Sequence, residues 1–339
     1  MNGKDVARSL VSGGTATVAL LLVVVFGIVF AINPSFAEPG SLFAFVKKAA
    51  PLVVLAAGQY LVIVSGEFDL SVGSLVGAQV VIAAKLIDGE ESMTVPVLLL
   101  MVGFGLVVGL VNGLVTTLLK VPSFITTLGM MLVLYGAIRL WTGGAPTGAL
   151  TETFRQAGRG GFDVAGTQVP WALFVMVAVG SAVVVLMRSP FGRTLLAVGD
   201  NPVSASFSGI RVALVRTTAF VLSGFLATVA AVLIAGYAGV TAQVGTGLEF
   251  TAITAVVLGG VALGGGAGYV TAAMGGGLLL EALFTLFNQL GLPSTARPAV
   301  QGVIIIAAVA LSATQLTGLR RRRGAGTPVA PAAPAEAPG

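Results

Sequence analysis

The 339 residues contain no cysteine and no histidine, and only 9% of them are charged. Without Cys or His there is no disulfide framework, thiol chemistry or His-ligated haem, and the usual zinc sites are excluded. A soluble domain carries roughly 25% charged residues because its surface must be wetted. This chain cannot clothe itself in charge, so most of its surface must face lipid. It also has no GxxxxGK[ST] stretch, so it cannot cradle nucleotide phosphates on a P-loop.

What is present is apolar. Hydrophobic residues make up 56% of the chain, the mean hydropathy is +1.02, and there are 47 glycines. Glycine is commoner in membrane helices than in soluble ones and lets them pack closely. A span needs about 20 apolar residues. That window predicts about ten segments, near 15–35, 49–65, 70–87, 95–119, 123–141, 169–188, 215–238, 249–263, 269–290 and 297–315. The expected fold is therefore an all-α polytopic bundle. Lys4 and Arg8 precede an apolar run, Ala16 to Ile32, that is longer than the core of a secretory signal, so the first segment is read as an uncleaved helix.

Orientation follows from Lys and Arg. With ten spans and both ends inside, the inner loops hold Lys4, Arg8, Lys120, Arg188, Arg193, Arg211, Arg216 and the run Arg320 to Arg323, eleven in all. The outer side holds five: Lys47, Lys48, Arg155, Arg159 and Arg297. The bias predicts a cytoplasmic N-terminus (1–14), a membrane domain (15–315) and a cytoplasmic tail (316–339). That tail is basic at first, then rich in Pro and Ala and expected to be disordered. Its Arg run reads as an anchor on anionic lipid, and the net charge of +5 as no sign of nucleic acid. Lys47 and Lys48 run against the rule.

Several stretches interrupt the apolar pattern. Residues 142–168, outside, are rich in Gly, Thr and charge; residues 189–214, inside, carry Arg193, Asp200, Asn201 and Arg211. Gly66 to Gly73 and Gly259 to Gly266 follow apolar segments in the two halves, a faint internal echo. Such an echo suits either broken helices at a transport site or simple tight packing. Gly105, Gly109 and Gly113 form a GxxxG ridge that fits a dimer contact or packing within the chain, the latter being commoner.

Candidates for a path are Glu67 and Asp69, between two apolar stretches, with Ser71, and the polar residues inside spans, Gln59, Gln79, Asn112, Thr126, Thr127, Glu249, Glu281 and Asn288. Each has a plainer role. Asp69 suits a helix N-cap, Glu249 a carboxylate at a helix start, and Glu281 a protonated or paired carboxylate in the bundle.

Four ordered stretches resemble one family. SGEFDLSVGSLVG (Ser65 to Gly77) is similar to the GGIDLSVGS signature of permeases serving ribose, xylose and galactose importers. Lys120 to Met130 resembles its VPPFIVTLGM signature. Phe191-Gly192-Arg193 through Gly199-Asp200-Asn201 to Ser208-Gly209-Ile210 is similar to its GR–AIGGN–AA–SGI loop. Leu248-Glu249 through Gly268 resembles ELDAIAAVVIGG–L–GG–G, and the likeness runs in order from about residue 45 to 312. The chain departs from the pattern at Glu67-Phe68 for Gly-Ile, Ser123 for Pro, Asp200 for Gly, and Ser204 for Ala.

The resemblance implies a type II-like ABC importer permease with no catalytic residues and no cofactor of its own. A cytoplasmic ATPase subunit would burn ATP and push on a coupling loop at Gly192, Arg193, Gly199, Asp200, Asn201, Ser208 and Gly209. A sugar-binding protein would dock outside, and a second permease copy, identical or related, would complete the path. Phe124 and Phe250 could stack on a sugar ring or simply pack. Two rivals remain at this stage: an ion-coupled secondary transporter, kept open by Glu67, Asp69 and Glu281, and an intramembrane enzyme, which the missing His and Cys disfavour.

Overall fold

A computed structural model describes residues 13–307, except 146, 165 and 242. The expected cytoplasmic N-terminus, the Arg320–Arg323 anchor and the Pro/Ala-rich tail lie largely or wholly outside the described residues.

Helices occupy each of the ten predicted apolar stretches. They are α1 (Gly13–Ile32), α2 (Pro39–Val64), α3 (Val72–Ile87), α4 (Thr94–Leu118), α5 (Ser123–Thr142), α7 (Trp171–Arg188), α10 (Val212–Ala238), α11 (Leu248–Leu258), α12 (Val270–Gln289) and α13 (297–307). Among the described residues seven of these are long and apolar enough to cross a membrane: α1, α2, α4, α5, α7, α10 and α12. Helices α3 and α11 are apolar but shorter, and α13 meets the edge of the described residues.

Between them lie the short helices α6 (Glu152–Arg159), α8 (Pro190–Asp200) and α9 (Pro202–Phe207). A two-stranded antiparallel hairpin, β1 (Gly161–Val164) with β2 (Thr167–Pro170), corrects the all-α expectation. Its cause is local: Gly166 at φ +80° supplies the left-handed turn that period-3.6 reading of apolar residues cannot see.

The core lies where α10 packs against α2 and α4, with α12 against α2, α1 and α11. Ala227, Ala230 and Ala231 of α10 and Ala56 and Ala57 of α2 are fully buried. By contrast Leu99, Val133 and Val185 on α4, α5 and α7 are 68%, 64% and 67% exposed, as lipid-facing positions must be. The glycine ridge of α4 settles within the chain. A Cβ at Gly109 would lie 2.8 Å from Val221 Cα, and one at Gly113 2.7 Å from Thr217 Cα, so α4 and α10 touch backbone to backbone.

The loops fall at two ends. One end gathers residues 65–71, 119–122, 189–211 and 259–269; a Cβ at Gly265 would lie 2.8 Å from Gly66 Cα, and Gly266 donates to the Val64 carbonyl at 2.9 Å. The other end carries α6 and the hairpin. Helix α2 begins ten residues before the predicted 49, which takes Lys47 and Lys48 out of the loop and into the helix. Lys47 Nζ donates to the Arg159 carbonyl (2.7 Å) and to Gln168 (3.0 Å), pinning α6 and β2 to α2. Lys48 pairs with Glu281. Both cations that run against the charge rule thus have partners in the fold.

Candidate functional site: a coupling loop and a polar turn

The loop 189–211 is built by punctuation. Pro190 opens α8 and Pro202 opens α9, each at a first-turn position where no N–H is needed. The Asn201 side chain accepts from the N–H groups of Val203 (3.1 Å) and Ser204 (2.9 Å), capping α9. Ser208 Oγ donates back to the Ser204 carbonyl at 3.1 Å, and Gly209 ends the turn at φ +82°.

The candidate residues of this loop split by environment. Gly192 and Gly199 are buried, Gly192 against Met187 and Gly199 between Val64 and Gly266. Arg193, Asp200, Asn201, Ser208 and Gly209 are exposed. Two apolar side chains of α9 stand out with them, Phe207 at 88% and Val203 at 62% exposure. Neither was singled out from the sequence, where an apolar residue in a short polar loop carries no periodic signal.

Directly above sits the turn from α2 to α3. Gly66 takes φ +86°, and Gly199 and Gly265 close on it. Glu67, 9% exposed, forms an ion pair with Arg216 of α10 at 2.6 Å. Asp69, 2% exposed, accepts from the Ser71 N–H (2.9 Å) and Oγ (2.6 Å), and from Ser223 Oγ at 3.4 Å. Asn112 Nδ2 in turn donates to Ser71 Oγ at 2.8 Å. Asp69 therefore folds the turn before α3, a capping-type role two residues ahead. The whole turn is stitched to α5: Phe68 N–H donates to Ser123 Oγ (3.1 Å), and Leu70 N–H to Thr127 Oγ1 (3.0 Å). Ser123, which departs from the family's Pro, is a working acceptor here. A cavity of about 440 Å³, lined by Glu67, Thr116, Lys120 and Arg216, opens beside the pair.

Of the predicted path, Glu67, Asp69, Ser71 and Asn112 come together. The rest do not join them. Phe124 is 56% exposed on the outer face of α5, Thr126 lies two residues further along α5 with no hydrogen-bond partner for its hydroxyl among the described residues, and Asn288 is exposed near the hairpin end. Glu249 is 4% exposed at the first turn of α11, its carboxylate against Gly73 of α3. Arg216, Ser223, Ser123 and Thr127 complete the turn. The carboxylate added at Glu67 was the one sequence signal that a buried cation must lie opposite.

A multi-pass bundle with a buried polar turn and an apolar-tipped helix at one end has the build of a membrane transport subunit. The chain belongs to the family described as branched-chain amino acid transport system / permease component, whose model matches residues 41–309. It is similar to the autoinducer 2 import system permease protein LsrC of Enterobacter sp. (strain 638), 30% identical over 94% of this chain and 92% of that protein. It is likewise similar to the ribose import permease protein RbsC of Escherichia coli (strain K12), 32% identical over 86% of this chain and 91% of that one. No solved structure gives a significant match.

Proposed function

We propose that this chain is the membrane-spanning permease subunit of an ATP-driven importer for a sugar or a sugar-like small polar solute. It crosses the membrane ten times with both termini in the cytoplasm, so the end bearing α8 and α9 is cytoplasmic and the hairpin end faces outward. A separate ATPase docks on α9, a binding protein delivers solute to the hairpin end, and a second permease copy completes the path.

The observation that carries this reading is α9 itself. An exposed Phe207 and Val203 on a capped, six-residue helix in a loop otherwise polar form an apolar tip that no described residue covers. Such side chains suit a partner's groove. Buried Gly199 seats the end of α8 directly against Gly66 and Gly266, so force on α9 has a rigid route to the polar turn. Likeness to ribose and autoinducer 2 import permeases supports the solute class. Ion coupling gains nothing from the carboxylates that kept it open, since Glu67 and Glu281 are paired with cations and Asp69 is fully engaged in its turn.

The test is uptake into membrane vesicles containing the chain with its co-purified partners. Uptake stops on ATP depletion and survives an uncoupler. Solute accumulation by the chain alone under an ion gradient would sink the proposal.

A further inference from the structure

At the hairpin end a second cavity, about 600 Å³, opens between α2, α10, the start of α11, α12 and α13. That volume lies within the range of about 300–1,000 Å³ typical of small-molecule sites. Its walls are apolar helices, yet charged and polar side chains converge on it. Lys48 of α2 pairs with Glu281 of α12 at 2.5 Å, the Glu281 side chain being only 8% exposed. The Arg297 guanidinium lies 4.8 Å over the Phe284 ring and donates to Asn288 at 3.3 Å; its Nε is buried without a partner among the described residues. Gln301 Nε2 donates to Thr251 Oγ1 at 2.9 Å across the cavity wall.

The Lys48–Glu281 pair borders this open space, and ionisable groups of a membrane bundle that border a wet cavity mark solute pathways. The chemistry narrows the class. Carboxylate, guanidinium and carboxamide are planar groups able to bond two neighbouring hydroxyls at once, and Phe284 offers an apolar face. Lys48 and Glu281 neutralise each other, while the Arg297 guanidinium, held by a ring face and a neutral amide, keeps a positive charge at the cavity wall.

We infer that this cavity is the loading subsite of the transport path and takes a polyhydroxylated ring of monosaccharide size, read by Glu281, Arg297, Gln301 and Thr251. The inference rests on the proposed import function and adds the residues that discriminate between solutes.

Its test uses the complete assembly in proteoliposomes with a panel of radiolabelled pentoses and hexoses. Glu281→Gln and Arg297→Gln should each lower uptake of the preferred sugar by at least about tenfold, the equivalent of one lost hydrogen bond to a charged group. They should also reorder the panel, which a merely structural defect would not do. Because the chain has no cysteine, Thr251→Cys gives a unique thiol. A membrane-impermeant thiol reagent added outside should modify it, and the imported sugar should slow that reaction. This second variant serves should the first two fail to fold. An unchanged sugar ranking in folded variants overturns the subsite, as does an introduced thiol that is unreactive or unprotected, even while wild-type uptake stands. An assembly that imports nothing from the panel removes the solute reading itself, and the subsite with it.

Discussion

Breaking the Glu67–Arg216 pair should be asymmetric. Glu67 is 9% exposed, and its side chain can reach little water. Arg216 has a side chain 21% exposed and lines the 440 Å³ cavity. Removing one partner of a fully buried pair costs about 3–5 kcal/mol, because a lone charge is left in a low dielectric, while an exposed pair is worth about 0–1 kcal/mol. Arg216→Gln strands the buried carboxylate and should cost about 2–3 kcal/mol. Glu67→Gln leaves a guanidinium that can turn into the cavity and hydrate, costing about 1 kcal/mol. The double variant should resemble Glu67→Gln, giving a coupling energy of about 2–3 kcal/mol in magnitude. The assay is thermal unfolding of the detergent-purified chain, followed by fluorescence-detected size exclusion. Equal losses in the two single variants, or strict additivity in the double, would refute the account of a buried carboxylate held by Arg216.

Gly109→Leu should abolish stable folding, since even a Cβ there meets Val221 Cα at 2.8 Å; a monodisperse, fully stable variant would deny the α4–α10 contact. Phe207→Asp should leave membrane insertion intact but reduce capture of the ATPase at least about tenfold, read by co-purification, because hot-spot aromatics dominate such contacts. A Cβ at Gly209 would meet no atom within 4 Å, so the effect of Gly209→Val should come chiefly from the backbone. At φ +82° a branched residue costs about 1–2 kcal/mol, and uptake should uncouple from ATP hydrolysis while insertion persists. Normal coupled uptake would remove the docking role of this turn.

The positions of the apolar helices were legible because a span must be a run of about 20 apolar residues, and that constraint is linear in the chain. The start of α2 was not. Lys47 and Lys48 looked like loop residues, and only the Arg159 carbonyl, Gln168 and Glu281, distant in sequence, make them tolerable inside a helix. The hairpin at 161–170 was hidden for a related reason: four-residue strands in a polar loop leave no periodicity to read. At the polar turn the carboxylates were visible but their partners were not. Ser123, Thr127, Arg216 and Ser223 come from other, distant segments of chain, and nothing in their local sequence marks them as facing residues 67–71.

Composition alone determined that this protein lives in lipid and carries no nucleotide-binding P-loop, because scarcity of charge and the absence of a motif need no geometry to interpret. Pairing was decided only in three dimensions: which cation answers Glu67, which helix receives the glycine ridge of α4, and which polar side chains meet around a cavity. The physical reason is that an apolar run lowers its own energy wherever lipid is, whereas a buried charge is tolerable only against one particular partner, and folding alone brings that partner within hydrogen-bonding distance.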